Sequence, residues 1–235
     1  MEETLALGLS KKMIRGMGNG WEQSLNRIEE KLSVKKTDLP RHIILSGKGL
    51  PPEITHYIGL IHSAILNYQR VKLIYTPLYS DKKTHRRVDP YYLFFEEDFW
   101  YFRGYCHLRE EPRTFALDRI ISIKLLEEHF LPRNISPEEE LSGAFGAYMD
   151  GEPIEVVLRF DEDIKPYIRR KIWHQSQNLL ELDDSRLELH FKVNGLDGIV
   201  QWVYRWLPYV EVVSPKELRE IVCKELKMAL KKNKK

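Results

Sequence analysis

The sequence predicts an α+β protein: a helical connector, then a small closed or partly closed β-barrel, then a ferredoxin-like α/β sandwich. Three observations carry this. Apolar residues recur at helical spacing to about residue 69, the period drops to two at Val71, and beyond an acidic stretch strands and helices alternate. The 235 residues, 43% hydrophobic, suffice for one large or two modest domains and exclude disorder of the chain as a whole.

Leu5, Ala6, Leu9 and Met13 make a first helical stripe, and after Gly16, Gly18 and Gly20 a second runs through Trp21, Leu25, Ile28 and Leu32. Together they read as a helical hairpin in a connector of residues 1–53. Pro51 and Pro52 open a third helix, about 54–69, with Ile54, Tyr57, Ile58, Ile61, Ile65 and Tyr68 on one face. Short β-rich runs follow at about 71–79, 85–95, 98–106, 113–118 and 120–126, broken by Ser80-Asp81-Lys82, Glu96-Glu97-Asp98 and Glu110-Glu111-Pro112. Five short, tightly connected strands suit a small barrel, which removes sheet edges.

The barrel region is placed at 54–128 and an acidic, Pro/Gly-containing linker at 129–152. A short helix is expected after Ser136-Pro137. From 153 to 235 the order is strand (Ile154–Phe160), helix (about 163–172), two strands (about 176–182 and 186–193), helix (about 196–207), strand (Tyr209–Val213). That is the split unit of a ferredoxin-like layer. A last helix is signed by Ser214 as N-cap, Pro215 at the first helical position and Glu217 completing a capping box.

Formal net charge is only +2, but the charge is sorted: residues 70–90 hold six Lys/Arg against Asp81 and Asp89, and residues 127–163 hold eleven Asp/Glu against Arg133 and Arg159. Any polyanion contact must therefore be local. Cys106 and Cys223 are far apart with no ligand-type spacing, which argues against a disulfide scaffold or zinc site and for a reducing cytoplasm. No run of 18 apolar residues exists, so neither a membrane span nor a signal peptide is expected.

Enzyme signatures are scarce. Gly16-Met17-Gly18-Asn19-Gly20 follows a helix and lacks the dinucleotide-loop spacing, Ser46-Gly47-Lys48-Gly49 is no P-loop, and Asp161, Glu162 and Asp163 read as a polar turn. The expectation is no enzyme, no cofactor and no metal. What stands out is Phe99-Trp100-Tyr101-Phe102-Arg103-Gly104-Tyr105, one strand whose odd residues share a face and whose Trp100 and Phe102 share the other. One face is core, and the other sets aromatic planes beside guanidinium groups, a pairing that stacks bases and neutralises phosphates.

Val88-Asp89-Pro90-Tyr91-Tyr92-Leu93, Trp100-Tyr101-Phe102, Tyr105-Cys106 and Arg113-Thr114-Phe115-Ala116-Leu117-Asp118-Arg119-Ile120 resemble, in order and spacing, the motifs of a WYL domain. Leu158-Arg159-Phe160-Asp161 and Val210 through Glu220 resemble its C-terminal extension, WCX. The resemblance covers about residues 54–235. It implies a bacterial transcriptional regulator: a winged helix-turn-helix that binds DNA, a helical connector, an Sm-like barrel that senses a ligand, and the ferredoxin-like extension. Relatives that sense single-stranded nucleic acid, and the usual dimers, make an effector of nucleic-acid or nucleotide type and a homodimer the expected partners. Residues 1–50 resemble the connector and supply no winged helix, so DNA is expected to be bound by a domain absent from this chain.

Tyr75, Arg87, Trp100, Tyr101, Arg113 and Arg119 match family positions and, with Arg103 from the aromatic strand, form the expected binding set; Asp118 is expected to support a neighbouring Arg or a turn. Phe102 stands where leucine is usual and Ala116 where many members have arginine, which weakens phosphate binding by that strand. A shared site requires Arg87, Arg113 and Arg119 on one face. The alternative reading is a protein-interaction module in which the aromatics are core and the acidic linker recruits a partner.

Overall fold

The computed structural model describes residues 27, 28, 30, 31, 51–78, 80 and 82–234. The four early residues are helical; the rest of the expected connector hairpin lies outside the described residues. The chain divides into two units, one ending at Arg133 and one beginning at Asn134.

In the first unit, helix α1 (Pro52–Leu66) starts at a proline that needs no N–H partner and presents Ile54, Ile58, Ile61 and Ala64 to the core. It stops before the expected residue 69. Tyr68 adopts a left-handed φ of 51°, which no helix continues through, and the Asn67 side-chain amide donates to the Ser63 carbonyl at 2.8 Å. Strands β1 (Gln69–Tyr75), β2 (Thr84–Glu96), β3 (Phe99–Cys106), β4 (Glu111–Ala116) and β5 (Ile120–His129) form one antiparallel sheet in the order β4-β3-β2-β1-β5. A 3₁₀ turn, Leu117–Arg119, joins β4 to β5. This moves Leu117 and Asp118 off the strand expected at 113–118.

Alternation decides which residues meet the helix. Val71, Leu73 and Tyr75, then Val88, Phe102, Cys106 and Phe115, are buried with the α1 residues in one cluster, against which Trp100 also packs. Phe102 and Phe115 are cross-strand partners whose rings stack at 5.0 Å. Pro90 cannot donate to the ladder, and the β2–β3 register shifts between Pro90 and Tyr92. There the strands approach closely: a Cβ on Gly104 would lie 2.6 Å from the Asp89 carbonyl oxygen and 2.7 Å from Val88 Cγ1.

The second unit starts with the expected short helix, α2 (Pro137–Ser142), which Ser136 caps: its Oγ accepts the Glu139 N–H at 3.4 Å. Strands β6 (Pro153–Phe160), β7 (Asn178–Glu181), β8 (Leu187–Asn194) and β9 (Val210–Ser214) form an antiparallel sheet in the order β7-β8-β6-β9. Helix α4 (Asp197–Arg205) and the C-terminal α5 (Lys216–Asn233) follow β8 and β9, and the core joins Val156, Leu158, Phe160, Leu189, Ile199, Trp202 and Leu218.

Two expectations need correction here. The helix expected over 163–172 is a 3₁₀ turn, Glu162–Ile164, and a single α turn, α3 (Lys165–Ile168). Trp173 explains its end: the indole N–H donates to the Ile168 carbonyl at 2.7 Å, taking the acceptor the next turn needs, while the Trp173 amide donates to Gln177 Oε1 at 2.6 Å. Ser214 does not cap α5 either. It is the last residue of β9, paired with Val157, and Pro215 stands at the cap position without a side-chain bond.

Candidate functional site

The site is built on the outward face of β1 and β2. Between buried Val88 and Val71, the alternate positions Lys72, His85 and Arg87 point outward and are exposed. With Arg86, His107 and Leu108 they line an open groove of about 300 Å³. Lys72 and Arg87 bring exposed cationic ends to this face, whereas Arg86 is buried and donates to Thr84 Oγ1 at 3.2 Å, and the groove wall itself is mainly apolar side-chain stem. An anion is the ligand such a lining favours.

Behind the groove runs an ion-pair chain. Asp89 is only 5% exposed. It accepts Arg70 Nε at 2.6 Å and Arg70 Nη2 at 3.3 Å, and His107 Nε2 lies 2.9 Å from its Oδ2. Arg70 also donates to Glu128 at 2.7 Å, and Glu128 takes Arg87 on its second oxygen. Hydrogen bonding to Asp89 raises the Arg70 guanidinium above its ordinary range, against the opposing effect of burial. Chemically, Glu128 sits where a ligand anion would, on the solvent-facing Arg87, while the Asp89 carboxylate holds Arg70 and His107 in place behind it.

The seven expected residues are not brought to one place. Arg87 lines the groove. Arg103 and Tyr101 leave the same face of the sheet further along β3, where Arg103 is 7% exposed and donates to Thr114 Oγ1 at 3.2 Å, and Tyr101 stacks on Phe94 at 5.2 Å. Trp100 leaves the opposite face, against the core cluster and the Phe95 ring. Tyr75 is a core residue whose hydroxyl accepts the Ala116 N–H at 3.2 Å; burial raises its phenol, with Arg119 and Arg86 acting the other way. Arg113 pairs across from Gly104, and Val88 pairs with Cys106 on that same face, so Arg113 and Arg87 leave opposite faces of the sheet. A single face carrying both is not what the register builds. Arg113 instead meets Glu111 Oε1, with Nε at 2.9 Å. Arg119 is half-buried and Asp118 exposed, both in the 3₁₀ turn.

Sequence reasoning missed Arg70, Lys72, His85, Asp89, His107 and Glu128. The available signal was parity: counting by two from Arg87 reaches His85 and Asp89. Among the described residues, no group of three or more His, Cys, Asp or Glu is placed to hold a metal ion. Cys106 is buried and Cys223 exposed, both unbridged. No helix among the described residues is long and apolar enough to cross a membrane.

Comparison with known families matches residues 56–125 to the WYL domain and residues 152–230 to the WCX domain. Among solved structures, the chain is similar to proteasome accessory factor B/C (PafBC) of Arthrobacter aurescens, with 23% identity over 81% of this chain and 29% of that one and a TM-score of 0.36. It is also similar to a crystal structure of a CRISPR Cas-related protein, with 14% identity over 78% of this chain and 52% of that one and a TM-score of 0.48. The chain thus spans less than two thirds of either protein. No curated protein sequence matches it.

Proposed function

This chain carries a WYL domain followed by a WCX domain, and we propose that it is the effector-sensing and dimerising portion of a bacterial WYL-type transcriptional regulator. In this reading the protein works in the cytoplasm as a homodimer, together with a DNA-binding winged helix-turn-helix, and has no enzymatic activity. Its barrel binds an anionic effector of nucleic-acid or nucleotide type. The single observation that carries this is the open groove lined by Lys72, His85, Arg86, Arg87, His107 and Leu108.

The finer architecture belongs to the same reading. The five-stranded sheet with α1 packed on its core face supports an Sm-like barrel spanning 54–128, and the strand order β7-β8-β6-β9 with its helices supports a ferredoxin-like WCX domain spanning 153–235. Residues 1–53 are then the connector and 129–152 the linker.

In mechanism, an effector phosphate replaces the Glu128 carboxylate on Arg87. The exchange is favourable because an effector with several phosphates, or with a terminal one, brings more charge and more acceptor oxygens than one carboxylate. Glu128 lies in β5, two residues before Phe130, where the strand runs out towards the linker; Phe130 packs edge-on against Tyr68, and Arg133 lies 4.5 Å over the Tyr105 ring. Effector binding therefore acts at the end of the strand that leaves the barrel. Regulation follows as a population shift if the effector prefers one arrangement of that exit.

The test is binding of a panel of mononucleotides and short single-stranded DNA and RNA to the full chain. The expected result is salt-sensitive binding that Arg87→Ala weakens at least about tenfold, the order of a charge-assisted hydrogen bond, without lowering Tm. No binding by any member, with a protein partner recovered instead, would replace this reading with the interaction module.

A further inference from the structure

Arg86 is a buried cation that no carboxylate answers among the described residues. It is 8% exposed and shares the core side of β2 with Val88, two residues on. Its Nε donates to Thr84 Oγ1 at 3.2 Å, and its Nη1 donates to the Cys106 thiol sulfur at 3.9 Å. Asp89, similarly buried in the same strand, is the contrast: it takes both Arg70 and His107. A cation taken out of water is costly unless strong acceptors surround it, and a thiol sulfur is a weak one.

We propose that Cys106 is a site of oxidation by peroxide and that Arg86 is the group that holds the oxidised sulfur. Sulfur attacks one peroxide oxygen: the S–O bond forms as the O–O bond breaks, sulfur gives up two electrons, and the thiol proton leaves with the departing hydroxide as water, giving the sulfenic acid. The 3.9 Å between Nη1 and Sγ suits this product. It is about 1 Å longer than an N–H···O hydrogen bond of ~2.9 Å, so an oxygen carried on the sulfur comes within reach of the guanidinium without moving either strand. That bond is charge-assisted and stronger than the one the thiol accepts.

Position supplies selectivity. Cys106 is fully buried between its cross-strand partners Val88 and Glu111, yet Arg86, His107 and Leu108 line the open groove, so the side chain that touches the sulfur also borders solvent. A peroxide is little larger than water and passes where an arginine swings; a bulky reagent does not. Cys223 is exposed and admits both. Oxidation fixes Arg86 on the sulfur side, away from the groove, and this chemistry does not depend on which ligand the groove takes.

The experiment treats the full chain carrying Cys223→Ser with hydrogen peroxide in native buffer, unfolds it in the presence of dimedone to trap sulfenic acid, and locates the adduct by peptide mass. The expected result is one adduct, at Cys106, and no native-state reaction of Cys106 with a bulky aromatic disulfide reagent. Arg86→Met should slow the oxidation at least about tenfold, the order of a charge-assisted hydrogen bond. Its Tm should be unchanged or higher, because an unanswered buried charge is gone, which separates lost chemistry from lost folding. Arg86→Lys, which keeps the charge, should restore much of the rate, and Arg86→Gln supplies a second neutral variant where the Met protein does not fold. No adduct at Cys106 under peroxide that oxidises Cys223 in the parent chain would overturn the site. Oxidation as fast in the neutral variants as in the parent, or equal attack by the bulky reagent, would overturn the role of Arg86 and assign the reaction to local opening.

Discussion

Replacing Asp89 with asparagine tests whether the buried carboxylate organises the groove. The change keeps the side-chain shape and removes one charge. Asp89 and Arg70 are 8% and 19% exposed at the side chain, so solvent screens their pair little. Opposite charges about 4 Å apart attract by about 4 kcal/mol at an effective dielectric of 20. Part of this is kept, because the amide oxygen of the new side chain still accepts one hydrogen bond and Arg70 keeps Glu128 at 2.7 Å. The remaining loss is about 2–3 kcal/mol, somewhat below the ~3–5 kcal/mol for breaking a fully buried pair. For a domain of this size that is a fall in Tm of roughly 10–20 °C. Denaturant unfolding gives the total, and amide exchange in β1 and β2 assigns it to the first unit. Arg70→Met and the double variant close the cycle, with a coupling of at least about 1 kcal/mol expected. An Asp89→Asn protein within about 0.5 kcal/mol of the parent, the range of an ordinary surface change, would refute the argument.

Other perturbations probe separate features. Gly104→Ala should cost about 2–3 kcal/mol, because its Cβ would stand 2.6 Å from backbone that cannot swing aside; equilibrium unfolding with no loss would contradict that packing. Glu128→Gln should tighten anion binding about two- to fivefold by removing an exposed competitor worth under ~1 kcal/mol; weaker binding in a titration calorimeter would count against displacement. In the second unit, burial lowers the His174 imidazole below its ordinary 6.5, so the unfolded chain takes up a proton that the folded chain resists. Its contribution is whole above pH 6.5 and is lost as pH falls from there towards the lowered value; His174→Gln should flatten that part of the stability profile, and an unchanged profile would refute it. Hydrogen bonding from Arg159 lowers Glu188 below 4.5, so further stability goes only in stronger acid, a step that Arg159→Met should remove when urea unfolding is repeated across the acid range.

Local pattern made much of the fold readable. The two faces of Phe99 to Tyr105 follow from a period of two, and α1 from its apolar stripe and leading prolines, because each signal lies within one element. Where elements ended was set by partners outside the window. The carbonyl of Ile168 goes to a tryptophan indole, Ser214 goes to the β6 ladder, and Glu127 and Glu128, beyond the strand expected at 120–126, lie in β5, whose His129 pairs with Gln69. The groove was hidden for a related reason. Lys72, Arg87 and His107 meet through strand register, and that register shifts between Pro90 and Tyr92. Motif matching gathered Arg87 with Arg113, residues that the pleat sends to opposite faces.

That division makes the account directly testable by NMR of the arginine side-chain Nε–H groups during titration of the full chain with a short single strand of DNA. The predicted result is saturable change at Arg87 and at Arg70, which shares Glu128 with it, while Arg113 and Arg103 stay fixed. Changes centred on Arg113 or Arg119, with Arg87 unmoved, would place the ligand elsewhere and contradict the account.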